Sequence, residues 1–340
     1  MNPSDDPIHD WLYQQIPEKL WHYTSVQGFQ GIIGSGNIFA TDVRFLNDTE
    51  EFIHARKVAD DLVSKTPEIG DYEFPLRDAL HWAVNAIFGS DFLNPNCAQI
   101  FVASFTDCED DLSHWRGYSH GTCGVSIAFY FGAYDPGMFR PSAGSGSAVT
   151  FAPCIYDDAK KQEFIHRALQ CFLNVSQNKW NEAKQEFMKI HGSGTTEPDF
   201  GKIMDFANAA PSGQEYMAQL KIGLVETRRR IFRLAGLLKH RAFHQEREWR
   251  LVLPISPNSD KTNLILPIRF RSTNASLIPY VEYPLGLFSM GAPPTPLLPV
   301  NDVLLGPGAS DDAANAALDF LKSKSIKIVP RRSDVPYRQV

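Results

Sequence analysis

Two hydrophobic periods alternate along the chain. Short runs repeat every second residue, as strands do, and longer runs repeat at helical spacing. LWHYT (20–24) reads as a strand with His22 and Thr24 on one face and Trp21 and Tyr23 on the other. Ser25 then caps a helix carrying Val26, Phe29, Ile32 and Ile33, ended by Gly34 and Gly36. NIFATDVRF (37–45), QIFVASFT (99–106), GVSIAFYF (124–131) and AVTFAPCIY (148–156) read as further strands. A helix is expected at 8–16, and another up to about residue 65 with Asp48 and Glu51 as its capping box. A third is expected at 75–89, with Leu80, Val84 and Ile87 inward.

From 158 to about 237 the pattern is helical apart from a polar break, HGSGTTEPD (191–199). LILPIRF (264–270) and LIPYVEY (277–283) are strands, 284–299 is proline-broken, and VLLG (303–306), a helix at 310–323 and IKIV (326–329) form a closing βαβ-like unit. DDLSHWRGYSHG (110–121) reads as a polar loop holding His114, Trp115, Tyr118 and His120, and PSAGSGSA (141–148) as a flexible turn region. The expected architecture is α+β: a central, mostly antiparallel sheet with flanking helices, one domain over 1–340, and a helical insertion at about 158–237.

The most unusual stretch is KHRAFHQEREWRLVLP (239–254), a turn feeding a strand. Trp249, Leu251 and Leu253 alternate with Glu246, Glu248 and Arg250. Two carboxylates and a guanidinium on one strand face cost desolvation energy unless they are paired or used. A solvated edge strand and a catalytic Glu-x-Glu beside a pocket both fit this pattern.

Charge changes the picture once. The net charge is −6, yet residues 221–250 hold nine Lys or Arg against Glu226, Glu246 and Glu248. That segment is either an anion or nucleic-acid footprint or a helix whose arginines pair with acidic neighbours. The five cysteines, Cys97, Cys108, Cys123, Cys154 and Cys171, form no C-x-x-C pair and suggest reduced thiols in a cytoplasm. No apolar run approaches the roughly 18 residues needed to span a bilayer, and the acidic N-terminus does not read as a signal peptide. P-loop, dinucleotide-fold and nucleophile-elbow motifs do not occur. His240 and His244, four apart, with Glu248 make the one weak metal pattern, without an HExxH context, and no metal is expected.

The ordered set HYTS (22–25), LND (46–48), SFT with HW (104–106, 114–115), KHRAF-x-x-E-x-E-W-R (239–250), LLGPG (304–308) and VPYR (335–338) resembles a widespread bacterial domain family. That family in turn looks like a divergent branch of the ADP-ribosyltransferase superfamily. The resemblance implies a split sheet around NAD as substrate. His22 would bond a ribose hydroxyl, and Ser104 and Thr106 would buttress the site. Glu248 would be the catalytic carboxylate, with Glu246 the first member of Glu-x-Glu. Tyr23, Thr24 and Arg250 would complete the dinucleotide contacts. Tyr23, Trp115 and Tyr118 are the candidates to stack on nicotinamide, and Phe105 stands between the two hydroxyl residues.

The resemblance thus implies transfer of ADP-ribose to an intracellular macromolecule, RNA, DNA or protein, by a toxin or phage-defence effector that an antitoxin or regulatory protein controls. An NAD glycohydrolase and a non-enzymatic module binding a nucleotide or a partner are the competing functions. The strands at 20–24, 99–106 and 247–253 should be neighbours, with His22, Ser104 and Glu248 on one cleft.

Overall fold

The structure is a computed structural model and describes residues 6–46, 50–66, 74–89, 99–118, 123–132, 149–192, 199–209, 214–255, 266–272, 276–285 and 299–336. Asn47, Asp48, Cys97, His120, the 141–148 turn, the 286–298 proline stretch and the Tyr337–Arg338 end of the last motif lie outside the described residues.

The chain opens with α1 (Pro7–Leu12), β1 (Lys19–Thr24), α2 (Val26–Ser35), β2 (Asn37–Asp42), α3 (Glu50–Lys65), α4 (Leu76–Phe88) and β3 (Gln99–Thr106). Ser25 Oγ accepts the Gly28 N–H at 3.0 Å, and Gly36, at φ 76°, closes α2. Next come α5 (Leu112–Tyr118), β4 (Val125–Tyr130) and β5 (Thr150–Pro153). The insertion is α6 (Asp158–His191), α7 (Phe200–Ala209) and α8 (Gln214–Ala235). A 3-10 turn (Arg241–Glu246) leads into β6 (Glu248–Ile255), followed by β7 (Arg269–Ser272), β8 (Leu277–Pro284), β9 (Val300–Leu305), α9 (Asp311–Ser323) and β10 (Arg331–Arg332).

Several expectations shift: the helix expected at 8–16 stops at Leu12, and the strand expected at 37–45 stops at Asp42. The polar run after β3 holds a helix, because Asp111 Oδ1 accepts the Ser113 and His114 N–H groups and Trp115 buries against β1. IKIV makes no ladder; Ile326 and Ile328 pack on the core, and the parallel pairing with β9 begins after Pro330, which has no N–H to give. Of the strand expected at 264–270, residues 264–265 lie outside the described residues, and the ladder begins at Arg269.

The sheet runs β10-β9-β4-β1-β3-β2-β8-β7, with β6 paired to β3 and β5 off that path, and among the described strand pairs only β9–β10 is parallel. β3 and β6 pair along their whole length, from Gln99↔Ile255 to Thr106↔Glu248. The opposite edge of β3 is shared. β1 meets it at Trp21↔Thr106, and β2 at Thr41↔Val102 and Asp42↔Phe101. The sheet therefore divides along β3. β6, with β3 and β5 on its two sides, is an interior strand, which removes the reading of a solvated edge.

Paired residues share a face, so the register fixes which side chains meet. One face carries Leu20, Ile38, Phe101, Phe105, Ile127, Trp249 and Leu251, packed against α2 and α9. The other carries Ile100, Val102 and Val252 beneath α3, α4, α6, α7 and α8. Beside these, Trp21, Tyr23, Ala128 and Leu304 lie under Trp115 of α5. Gly236, just past α8, lets the insertion abut the sheet: a Cβ there would sit 2.7 Å from Val252 Cγ1. No helix among the described residues is long and apolar enough to cross a membrane.

Candidate functional site

The polar centre of the molecule lies where β6 begins. Arg247 takes a left-handed conformation at φ 42° between the 3-10 turn and β6, held by Asp107 at 2.8 Å and by the Cys108 sulfur. This break turns the chain so that Glu246 and Glu248, on different elements, reach the same ammonium group. Lys239 Nζ lies 2.7 Å from Glu246 Oε2 and 2.5 Å from Glu248 Oε2.

Glu248 is almost sealed, with 3% of its side chain exposed. Arg250 donates to both of its oxygens, Nε at 2.8 Å and Nη2 at 3.1 Å, and Arg250 Nη1 donates to the Gly236 carbonyl at 3.1 Å. The Glu248 N–H donates to the Tyr156 hydroxyl at 2.9 Å. Burial opposes ionisation of Glu248, but the charges of Arg250 and Lys239 outweigh it and hold the pKa down to about 2. Burial likewise opposes the charge on Lys239, and Glu248 more than restores it, raising that pKa. A buried carboxylate with two hydrogen-bonded cations is stable as a unit and costly to break.

Glu246 differs. Its side chain is 21% exposed, and Oε2 takes both bonds, from Lys239 and from the Tyr118 hydroxyl at 3.2 Å. Oε1 has no partner among the described residues. Thr106 Oγ1 donates to the Glu246 carbonyl at 2.8 Å and accepts the Cys108 N–H at 3.0 Å, which ties β3 to the 3-10 turn. Burial raises the Tyr118 pKa, with Glu248 adding to it, so the phenol stays a donor.

The expected residues separate into three groups. Glu246, Glu248, Arg250, Thr106 and Tyr118 come together, and Ser104, paired with Arg250, shares their face. Tyr23 and Trp115 are near but closed in. The Tyr23 hydroxyl accepts the Asp111 N–H and lies 2.8 Å from the Glu109 carbonyl, while Trp115 Nε1 donates to Asp110 at 2.7 Å. Their rings pack edge to face at 4.7 Å inside the third core cluster, which leaves Tyr118 as the aromatic bordering the site.

His22 and Thr24 form the third group. Trp21↔Thr106↔Glu248 share one face, so His22 and Thr24 point to the other. The expected meeting of His22 with Ser104 and Glu248 on one cleft is corrected by this register. His22 touches Ser104 only through the main chain: Nδ1 donates to the Ser104 carbonyl at 2.8 Å, and the ring packs on Phe105 at 5.6 Å. Burial, aided by Arg271, lowers its pKa to about 4, so the ring is neutral.

One further expectation changes, and two patterns that had more than one reading acquire partners. Arg250 is spent on Glu248 and Gly236 and is not open to a pyrophosphate. The basic 221–250 segment is neutralised only in part: Arg229 and Arg230 pair with Glu226, Arg230 also with Asp6, Arg247 with Asp107, and Lys239 with its glutamates. His240 and His244 turn to local groups, the Ala242 N–H and the Arg241 carbonyl, on an exposed turn away from buried Glu248. Lys239 and Tyr156 were not among the expected site residues; the one available signal for Lys239 was its place at the head of the KHRAF motif.

A domain described as a protein of unknown function, DUF2971, covers residues 114–251, from α5 to β6. It takes in Tyr118, Lys239, Glu246, Glu248 and Arg250. No curated protein and no solved structure matches the chain.

Proposed function

We propose that this chain cleaves NAD at the nicotinamide–ribose bond and transfers ADP-ribose to an acceptor, with Glu246 as the carboxylate that meets the substrate. The observation carrying this reading is Oε1 of Glu246, which has no partner among the described residues, on a side chain 21% exposed at the end of a buried, charge-balanced network. Support also comes from the adjacency of β1, β3 and β6, the strands that bear HYTS, SFT and E-x-E, and from the division of the sheet along β3.

The chemistry divides among these side chains. As the C1′–N bond breaks, its electron pair leaves with nicotinamide and positive charge develops on the ribose. A carboxylate fixed before the reaction stabilises that charge without reorganising. Glu246 is fixed by Lys239, Tyr118 and the Thr106 bond to its own carbonyl. Glu248 serves from behind as the counter-charge that keeps Lys239 and Arg250 in place. The acceptor nucleophile then bonds to C1′ and releases its proton. In this reading Glu248, first expected to be the catalytic group, becomes a positioning residue, because its oxygens are filled and covered.

With part of the basic segment paired to carboxylates, water competes as acceptor, and NAD hydrolysis is the second reading. Incubating the full chain with NAD labelled in its adenosine half tests both. Label on a macromolecule supports transfer, and free ADP-ribose supports hydrolysis. Intact NAD at every condition sinks the proposal.

A further inference from the structure

On the same face as Glu246 and Glu248, but across the division of the sheet, one guanidinium has no counter-charge among the described residues. Arg271 of β7 donates from Nη2 to the Thr41 hydroxyl at 2.9 Å and lies 5.8 Å from the centroid of the Tyr280 ring. Register fixes the side it faces: Arg269↔Tyr280, Tyr280↔Thr41 and Thr41↔Val102 are cross-strand neighbours, and Arg271 follows Arg269 by two. Its neighbour Arg269 pairs with Glu282 at 3.4 Å, and Arg44 pairs with Asp42, but no carboxylate contacts Arg271 among the described residues. Surrounding chain desolvates the guanidinium and lowers its pKa, with only the Tyr280 phenol opposing. On an exposed strand, this guanidinium is open to a ligand that supplies an anion. The planar fork also suits two phosphate oxygens, with one hydroxyl and one ring already holding it in place.

We propose that Arg271, Thr41 and Tyr280 form a phosphate-binding subsite for a nucleotide lying across the division of the sheet towards Glu246. Thr41 pairs with Val102, which is two residues from Ser104 and four from Thr106, about 7 and 13 Å along the strand. That spacing suits a ligand with a phosphate at one end and a ribose at the other. The subsite deepens the transferase reading and rests on it for naming the nucleotide as NAD, while affinity for phosphate is independent of it. The phosphate belongs either to the dinucleotide or to an acceptor strand.

The test is calorimetric titration of the full chain with ADP, with adenosine and with a single-stranded oligonucleotide, repeated on Arg271→Gln and Arg271→Lys. The exposed position of Arg271 lets both variants fold, which thermal unfolding checks. ADP should bind at least tenfold more tightly than adenosine. Arg271→Gln should lose about tenfold for ADP with adenosine unchanged, and Arg271→Lys should recover only part, since a point charge replaces a fork. Loss confined to the oligonucleotide assigns the phosphate to an acceptor strand and supports the subsite equally. Equal binding by wild type and Arg271→Gln, or no binding of ADP or oligonucleotide, overturns it. If Arg271-dependent ADP binding is found while NAD is never consumed, the subsite stands and the transferase reading falls.

Discussion

Lys239 Nζ lies 2.5 Å from Glu248 Oε2, and the two side chains are 5% and 3% exposed. A pair so enclosed has little water to fall back on. Glu248→Gln leaves Lys239 and Arg250 without their shared anion, so it should lower stability by about 3–5 kcal/mol, the cost of breaking a buried pair. Glu248→Gln with Lys239→Met should cost less than the two single changes added together. Urea unfolding of the three variants measures this, and a Glu248→Gln protein within about 0.5 kcal/mol of wild type would contradict the network described here.

Glu246→Gln is the cleaner test of chemistry, because the side chain reaches solvent and the variant keeps a hydrogen-bonding group of the same size. NAD turnover should fall by about 10²–10³, the scale of one preorganised electrostatic contact, with stability changed by less than about 1 kcal/mol. Single-turnover rates set against unfolding curves separate the two effects. Full activity in this variant removes Glu246 from the mechanism.

Tyr118→Phe deletes only the hydroxyl that donates to Glu246. Its expected effect is roughly tenfold on turnover, with substrate affinity nearly unchanged, since the ring that borders the site remains. A loss seen entirely in affinity would instead make Tyr118 a binding residue.

Acid should destabilise the fold in two stages. His22 is lowered from 6.5 to about 4, chiefly by burial. Glu248 is lowered from 4.5 to about 2 by Arg250 and Lys239 against the opposing effect of burial. In both windows the unfolded chain binds more protons than the folded one, so stability falls as pH falls. His22 governs pH 6.5 to 4, while Glu248 governs pH 4.5 to 2. Thermal midpoints of His22→Gln should be flatter across the first window and unaltered in the second. An equally steep fall in that variant refutes the assignment to His22.

Gly236→Ala places a methyl 2.7 Å from Val252 Cγ1, at the seam between the insertion and β6. Overpacking there should cost about 1–3 kcal/mol. Because Gly236 also supplies the carbonyl that Arg250 grips, turnover should drop with it. Val252→Ala in the same chain should recover part of the stability, which denaturant midpoints will show.

Much of the fold was legible because it is local. The Ser25 cap, the alternation in β1, β3, β4 and β6 and the long helical insertion follow from neighbouring residues. What was not legible depends on register. Alternation divides the side chains of one strand between two faces, but says nothing about which face of β1 matches which face of β6. The pairing Trp21↔Thr106 settles that, and it moves His22 away from Glu248. The partners of the basic segment were not legible for a similar reason: Asp6, which pairs with Arg230, lies 224 residues away in the chain. Lys239 was only one of nine cations in that segment, and its long side chain runs inward to the glutamates.

The insertion also has a bearing on how the chain finds its fold. Ile155 and Leu238 form a parallel bridge, with the Ile155 N–H bonded to the Leu237 carbonyl and the Lys239 N–H to the Ile155 carbonyl. Everything between them leaves and returns at one point. The central ladder of β3 with β6 joins segments about 140 residues apart, a slow search for an open chain. Once α6 and α8 have packed and that bridge has closed, the intervening loop shrinks to about 60 residues and its closure costs about 1 kcal/mol less. The helices would then nucleate the sheet they cover, and bridge-weakening substitutions at Leu238 should slow refolding more than they speed unfolding.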